Sequence, residues 1–179
     1  LKKGIPAPRS GSCEVNGTEL AEQIGGQIFS DCWGYVAPGD PELARDLARK
    51  MSSVTHDGDG IQGGIFVACA IALAYTCSDI RAIIEKSIKY LDQESGYVKL
   101  CKAVIAQVDA HPGDPEAVLA WIQESHGYNR YPGVCHILPT TAIMIWAMLY
   151  GDGDFDRTMT MLCEAGWDTD CTLGNVGSI

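Results

Sequence analysis

The sequence predicts an all-α fold, and three observations predict it. Apolar residues recur at helical spacing: Ile80, Ile83, Ile84, Ile88 and Leu91 form one stripe, and Val98, Cys101, Val104, Ile105 and Val108 form another. Helix-start signatures recur. Asp40-Pro41-Glu42 and Asp114-Pro115-Glu116 each supply a cap, a proline whose missing N–H is harmless in the first turn, and an acid that suits the helix dipole. No stretch alternates apolar and polar residues over a convincing strand length.

Taken in order, residues 1–23 carry Gly4, Pro6, Pro8, Gly11 and Gly17 and read mostly as loop, with a helical turn around Glu19 to Gln23. Gly25 and Gly26 follow, a pair that admits close backbone approach and marks a passage from loop to helix. The first long helix runs from Asp40 to about Ser53, and residues 54–60 interrupt it. Ile61 to Thr76 is small and apolar on nearly every side, which places that helix in the middle of the packing. Ser78 is the expected cap of the next helix, ending near Leu91. Gly127 ends the helix that starts at Asp114, and residues 128–138 read as loop. Pro139 to Tyr150 is a second nearly all-apolar helix, stopped by Gly151. Asp154 caps a helix to Ala165, and a final one begins near Asp168 and is still running at Ile179. Trp33 and Tyr35 are expected in the core. The 179 residues suit one domain, and the abrupt ends suggest the C-terminal part of a longer chain.

Composition narrows the function classes. A formal net charge of -10 argues against a nucleic-acid partner, because phosphate contacts need clustered Lys and Arg. An anionic small molecule needs a metal ion, backbone N–H groups and helix N-termini instead. Ile65 to Tyr75, the longest apolar run, is too short to cross a bilayer, and no signal peptide opens the chain. The eight cysteines include no C-x-x-C pair. Cys69, Cys77, Cys101 and Cys163 fall inside apolar helical patterns, so reduced, buried thiols and a cytoplasmic setting are expected.

The richest stretch is Cys163-Glu164-Ala165-Gly166-Trp167-Asp168-Thr169-Asp170-Cys171-Thr172-Leu173-Gly174. Gly166 suits the left-handed position after a helix end. Asp168 and Asp170 then stand where the next helix starts. Two carboxylates so spaced can offer oxygens to one hard cation, or one of them can simply cap the helix. The spacing alone favours capping. His56, with Gly60, Gln62 and Gly64 after it at a helix start, has a similar pair of readings: a ring that stacks on a base beside glycines that admit a phosphate, or a histidine at the edge of the core.

Four motifs stand in order: Ala21-Glu22-Gln23-Ile24-Gly25-Gly26-Gln27-Ile28; Trp33-Gly34-Tyr35-Val36-Ala37-Pro38-Gly39-Asp40-Pro41-Glu42-Leu43-Ala44; Thr55-His56-Asp57-Gly58-Asp59-Gly60-Ile61-Gln62-Gly63-Gly64-Ile65-Phe66; and Leu149-Tyr150-Gly151-Asp152-Gly153-Asp154-Phe155 leading into Ala165-Gly166-Trp167-Asp168-Thr169-Asp170-Cys171. Together they resemble the ADP-ribosylglycohydrolase family, which includes the dinitrogenase reductase-activating glycohydrolase. The resemblance implies an all-α orthogonal helical bundle around a pair of Mg2+ ions, with Mn2+ as the substitute. It implies hydrolysis of the N- or O-glycosidic bond of ADP-ribosylated protein or a related ADP-ribosyl compound, so ADP-ribose or its conjugates are the expected partners. A catalytically inactive ADP-ribose-binding or structural member of the same fold is the alternative.

The family holds its metals with an N-terminal Thr-Asp-Asp run, absent from these residues, and a C-terminal Asp-x-Asp-Thr run. The second run maps onto Asp168 and Asp170, the expected metal ligands and catalytic residues. Cys171 stands where many members have threonine, and a neutral thiol is a poor ligand for a hard cation. The neighbouring Thr172 is therefore the candidate third ligand. For substrate contacts the resemblance carries over His56, Gly60, Gln62 and Gly64 on the adenosine side and Gly25, Gly26 and Gln27 as the diphosphate loop. Cys135 and His136 are adjacent, so in an extended segment they face opposite ways, and that loop reads as structural. His111 and His126 read as surface cap residues.

Overall fold

A computed structural model describes residues 4–179, all helix and connection, as expected. A 3-10 turn at Arg9–Gly11 precedes four short helices: α1 (Cys13–Asn16), α2 (Thr18–Ala21), α3 (Gly25–Ile28) and α4 (Asp31–Tyr35). Eight longer helices follow: α5 (Pro41–Ser52), α6 (Asp59–Ala74), α7 (Ile80–Ile88), α8 (Gly96–Ala110), α9 (Pro115–His126), α10 (Ile137–Gly151), α11 (Phe155–Ala165) and α12 (Thr169–Ser178). The N-terminal third is thus more helical than its glycines and prolines suggest.

The two all-apolar helices occupy the middle. On α6 Gly60 and every residue from Gly63 to Leu73 are buried, and on α10 every residue except Leu149 is. Helices α5, α4 and α3 lie against α6, while α8, α9, α11 and α12 lie against α10. Phe66 of α6 meets Tyr97 of α8 with ring centroids 5.7 Å apart, joining the two halves of the core. Among the described residues no helix is long and apolar enough to cross a membrane.

The caps follow local chemistry. Asp40, Asp114 and Asp154 each accept a hydrogen bond from the N–H three residues on. A fourth such cap, at the start of α7, is Asp79, not Ser78: the Ala82 N–H donates to the Asp79 carboxylate at 2.9 Å, and α7 ends at Ile88, three residues before the expected Leu91. Helix α10 begins two residues earlier than expected and takes Pro139 into its first turn, where no N–H is needed. It runs through Gly151, and Asp152 in the left-handed conformation stops it. All eight cysteines are free, as expected, but only Cys69, Cys101 and Cys171 are buried; Cys163 is exposed and Cys77 lies beyond the end of α6. Tyr35 is 48 % exposed and so leaves the core, whereas Trp33 packs against it.

Candidate active site

The segment 131–137 lies between the acidic pair and the Ala21–Ile28 motif. Its backbone is stitched to the residues before α3. The Ile24 N–H donates to the Cys135 carbonyl at 3.0 Å, the Ile137 N–H to the Glu22 carbonyl at 3.1 Å, and the Cys135 N–H to Gln23 Oε1 at 2.8 Å. Alternation then sends successive side chains opposite ways. His136, 3 % exposed, reaches Glu22 Oε2 at 3.3 Å. Cys135 turns to the other side, where Tyr128 Oη lies 3.7 Å away and the Asp168 carboxylate is its charged neighbour. The loop is structural on the histidine face, as expected, and on the cysteine face it lies against the acidic pair, which the structural reading had not included.

At the acidic pair, Gly166 takes the left-handed conformation expected at a helix end (φ 70°). Asp168 takes it as well (φ 48°), a conformation that costs a non-glycine residue about 1–2 kcal/mol but that aspartate tolerates better than most. Asp168 occupies the position before α12, yet its side chain makes no capping hydrogen bond. Its Oδ2 is buried with no hydrogen-bond partner among the described residues. The capping explanation therefore fails for this residue. Asp170 is exposed in the first turn. One ligand atom each from Asp168, Asp170 and Cys171 lie within 4.8 Å of one another. Burial first, then the Asp168 carboxylate, pushes the Cys171 thiol well above its usual range and Cys135 up to about 11. A dication beside them would reverse the sign of that second effect.

Thr172 is not placed to be the third ligand. It is fully buried, one turn into α12, and its hydroxyl donates back to the Thr169 carbonyl at 3.2 Å. Gln27 is not placed to touch substrate either. It is fully buried: its Oε1 accepts from Tyr97 Oη at 2.9 Å and Thr141 Oγ1 at 3.2 Å, and its Nε2 donates to Asn175 Oδ1 at 3.2 Å. Asn175 in turn donates to Asp31 at 2.6 Å, so this chain of polar groups fastens α12 to α3 and α4. Asp31 is pushed upward by its own burial despite those donors.

Gly60, Gly64 and Gly26 are packing glycines rather than a phosphate cradle. A Cβ on Gly64 would stand 2.5 Å from the Gly26 carbonyl, one on Gly26 would meet the Gly60 carbonyl, and one on Gly60 would meet the Ala21 carbonyl. All three are buried where α3 and α6 touch. Gly25 differs: it is half-buried, and a Cβ there would stand 3.0 Å from the His56 ring.

His56 lies between two hollows. One is a groove of about 640 Å³ lined by Arg9, Arg49, Lys50, His56 and Gln62 and by the acids Glu14 and Asp57, among others, with Arg9 paired to Glu14 at 3.1 Å. The other is a small cavity of about 130 Å³ bounded by Gly25, Trp33 and His56. Gln62 is half-buried and accepts from the Asp92 N–H at 2.9 Å. Neither hollow is lined by Asp168 or Asp170. The two sets of candidate residues are therefore linked through Ala21 to Ile28 and the 131–137 segment rather than sharing one wall. Glu22 is the link that sequence reasoning missed: it accepts from the Asp59 N–H at 3.1 Å and meets His136. It stands in the Ala21–Ile28 motif, but nothing in its spacing distinguishes it from a surface acid.

Burial lowers His56 and also His126, which the Arg130 charge lowers further. His126 is no bare cap: it stacks edge-on to Trp121 at 5.0 Å and its Nδ1 lies 2.7 Å from Tyr131 Oη. For both residues the unfolded chain takes up protons near the ordinary value of 6.5 while the folded one still refuses them. Stability is therefore complete above that value and declines as pH falls below it. Glu22, lowered chiefly by its hydrogen bond to His136, adds a further loss below its ordinary 4.5. Asp31 and Asp59, raised by burial, act in the opposite direction at acid pH. Melting temperature is expected to fall from pH 7 to pH 5.5, and a double His56→Asn, His126→Asn variant should flatten that slope; an unchanged slope would assign it to other groups.

The fold and site define first a class: an all-α protein with a carboxylate pair where its last helix begins. A family model described as ADP-ribosylglycohydrolase matches residues 1–179. No curated protein and no solved structure is found that matches the chain. The chain belongs to the ADP-ribosylglycohydrolase family, glycohydrolases of ADP-ribosyl compounds.

Proposed function

We propose that this protein is a metal-assisted hydrolase that cleaves the glycosidic bond of ADP-ribosylated protein or of a related ADP-ribosyl compound. The single observation that carries the reading is the Asp168 carboxylate: half-buried, held in a left-handed conformation, and with one buried oxygen that has no well-formed hydrogen bond among the described residues. Buried carboxylate oxygens are nearly always paired, and an unpaired one at a helix start suits a cation. Asp168 and Asp170 would hold a divalent ion through one oxygen from each. Such an ion, once bound, would orient the ribose hydroxyls and polarise the attacking water, while the carboxylates offset the positive charge that develops at the anomeric carbon. Asp170, the exposed member, has the room to take a proton from the attacking water.

The anionic end of the substrate finds its complement in the groove beside His56. Arg49 and Lys50 are exposed there and enter none of the ion pairs among the described residues, in a chain whose overall charge is -10. They suit a diphosphate, and the imidazole of His56, kept neutral by burial, suits the face of an adenine. Replacing Arg49 and Lys50 together by alanine is expected to weaken ADP-ribose binding about tenfold, the equivalent of ~1.4 kcal/mol, with the melting temperature unchanged. Unchanged binding would make the groove a bystander.

The function itself is tested with ADP-ribosyl-arginine, ADP-ribosyl-serine and O-acetyl-ADP-ribose in the presence of magnesium or manganese. Release of free ADP-ribose from at least one is expected. Binding of ADP-ribose without release from any would overturn the enzyme in favour of an inactive binding member of the family.

A further inference from the structure

The third donor at the acidic pair is a sulfur. Cys171 is 6 % exposed, and its Sγ lies with the Asp168 and Asp170 oxygens inside a 4.8 Å cluster. A second thiol, Cys135, faces the same carboxylate from the 131–137 segment. Both thiols lie against the Asp168 carboxylate, yet its buried Oδ2 has no well-formed hydrogen bond among the described residues. The Thr172 hydroxyl, next to Cys171, is turned inward and spent on the Thr169 carbonyl. The chain thus gathers two carboxylate oxygens and one sulfur within 4.8 Å of one another, with the Thr172 hydroxyl outside the set.

Donor chemistry decides which cation such a set prefers. Magnesium demands oxygen ligands in near-ideal octahedral geometry at about 2.0–2.1 Å. Zinc accepts mixed sulfur and oxygen donors in a four-coordinate arrangement, with Zn–S at about 2.3 Å and Zn–O at about 2.0–2.2 Å, and keeps a position open for water in catalytic sites. Ligand atoms within 4.8 Å of one another need only a small inward adjustment to share an ion of that size.

We propose that Asp168, Asp170 and Cys171 form a mixed oxygen–sulfur site that selects a zinc-class cation over magnesium, with the Cys171 sulfur as a direct ligand. This rests on the reading of Asp168 and Asp170 as cation ligands. On binding, the Cys171 S–H bond breaks, its proton passes to solvent, and the sulfur electron pair forms the bond to the metal. No oxidation state changes. Cys135 lies beside the site as a neighbour of Asp168, not as a ligand.

The experiment is a titration of the purified protein with Co2+, a spectroscopically visible stand-in for zinc. A near-ultraviolet sulfur-to-cobalt charge-transfer band is expected to grow to one equivalent, with about one proton released per ion in calorimetry across buffers of different ionisation enthalpy. The band should persist in Cys135→Ser and vanish in Cys171→Ser, with circular dichroism confirming that each variant is folded. Zinc should bind at least 100-fold more tightly than magnesium, and Cys171→Ser should narrow that ratio at least tenfold. Asp170→Asn, a change at an exposed position, should weaken every divalent ion in a folded protein. Stoichiometric binding of cobalt or magnesium without the sulfur band overturns this proposal and leaves the carboxylate site intact. A band that disappears in Cys135→Ser but not in Cys171→Ser overturns the assignment of the ligand. Failure of every divalent ion to bind overturns both this proposal and the metal-assisted function.

Discussion

Replacing Asp168 by glycine is expected to make the metal-free protein more stable while abolishing its turnover. Three contributions set the sign. Glycine occupies the left-handed conformation at φ 48° without the penalty of about 1 kcal/mol that aspartate bears there. The buried, unpartnered Oδ2 disappears, and such a group costs roughly 1–3 kcal/mol. Against these stands the greater freedom of glycine in the unfolded chain, roughly 0.4–1 kcal/mol. No capping bond is lost, because Asp168 makes none. The net gain of about 1–3.5 kcal/mol corresponds to a rise of roughly 3–10 °C in a chain of this size. Turnover should fall by at least about 10²–10³-fold, the usual loss when charge stabilisation at the reacting centre is removed. Asp168→Asn separates the two effects: asparagine also tolerates the left-handed region, so stability should move little while turnover falls as far. A stabilised variant that remained fully active would show Asp168 to be strained for a reason other than catalysis. A destabilised one would show that its buried oxygen is satisfied.

That opposition between stability and function explains which features could be read from the chain. The Asp-Pro-Glu starts of α5 and α9 were legible because a cap is decided within four residues. The all-apolar α6 and α10 were legible because nothing but a central position lets a helix be apolar on every side. The neighbours Ser78 and Asp79 are both good caps, and only the final geometry chooses between them. Long-range placement was the harder part. Gln27 sits between two glycines and an isoleucine, and nothing local distinguishes a polar residue facing a ligand from one bonded to Tyr97, Thr141 and Asn175. The glycines at 26, 60 and 64 read as ligand-admitting, but the same missing Cβ serves close helix contact, and here carbonyl oxygens fill the space. Cys135 and His136 point opposite ways, as alternation requires, but what each side chain meets, Asp168 on one side and Glu22 on the other, is set by long-range packing.

Gln27 provides the second large effect, and it tests whether that buried amide is an anchor or a substrate contact. Gln27→Ala is expected to cost about 3–5 kcal/mol. It leaves a cavity where a fully buried side chain stood, and it strips the partner from Tyr97 Oη, which is itself fully buried. Asn175 Oδ1 loses its donor as well, while Thr141 keeps its bond to the Ile137 carbonyl at 2.9 Å and so suffers less. The melting temperature should drop by roughly 10 °C. Gln27→Leu fills the space but still orphans the Tyr97 hydroxyl, so it should recover only part of the loss. Adding Tyr97→Phe to Gln27→Leu should recover more, because the stranded donor is then gone, and the double variant should be less destabilised than the sum of the single ones. A substrate contact predicts the opposite pattern: a raised KM in a protein of unchanged stability, with no coupling to position 97. Because Asn175 also donates to Asp31 at 2.6 Å, α12 keeps one tether in all of these variants. Turnover per folded molecule should therefore fall far less than in the Asp168 variants, since the start of α12, where the carboxylate pair stands, is loosened rather than stripped of its charge.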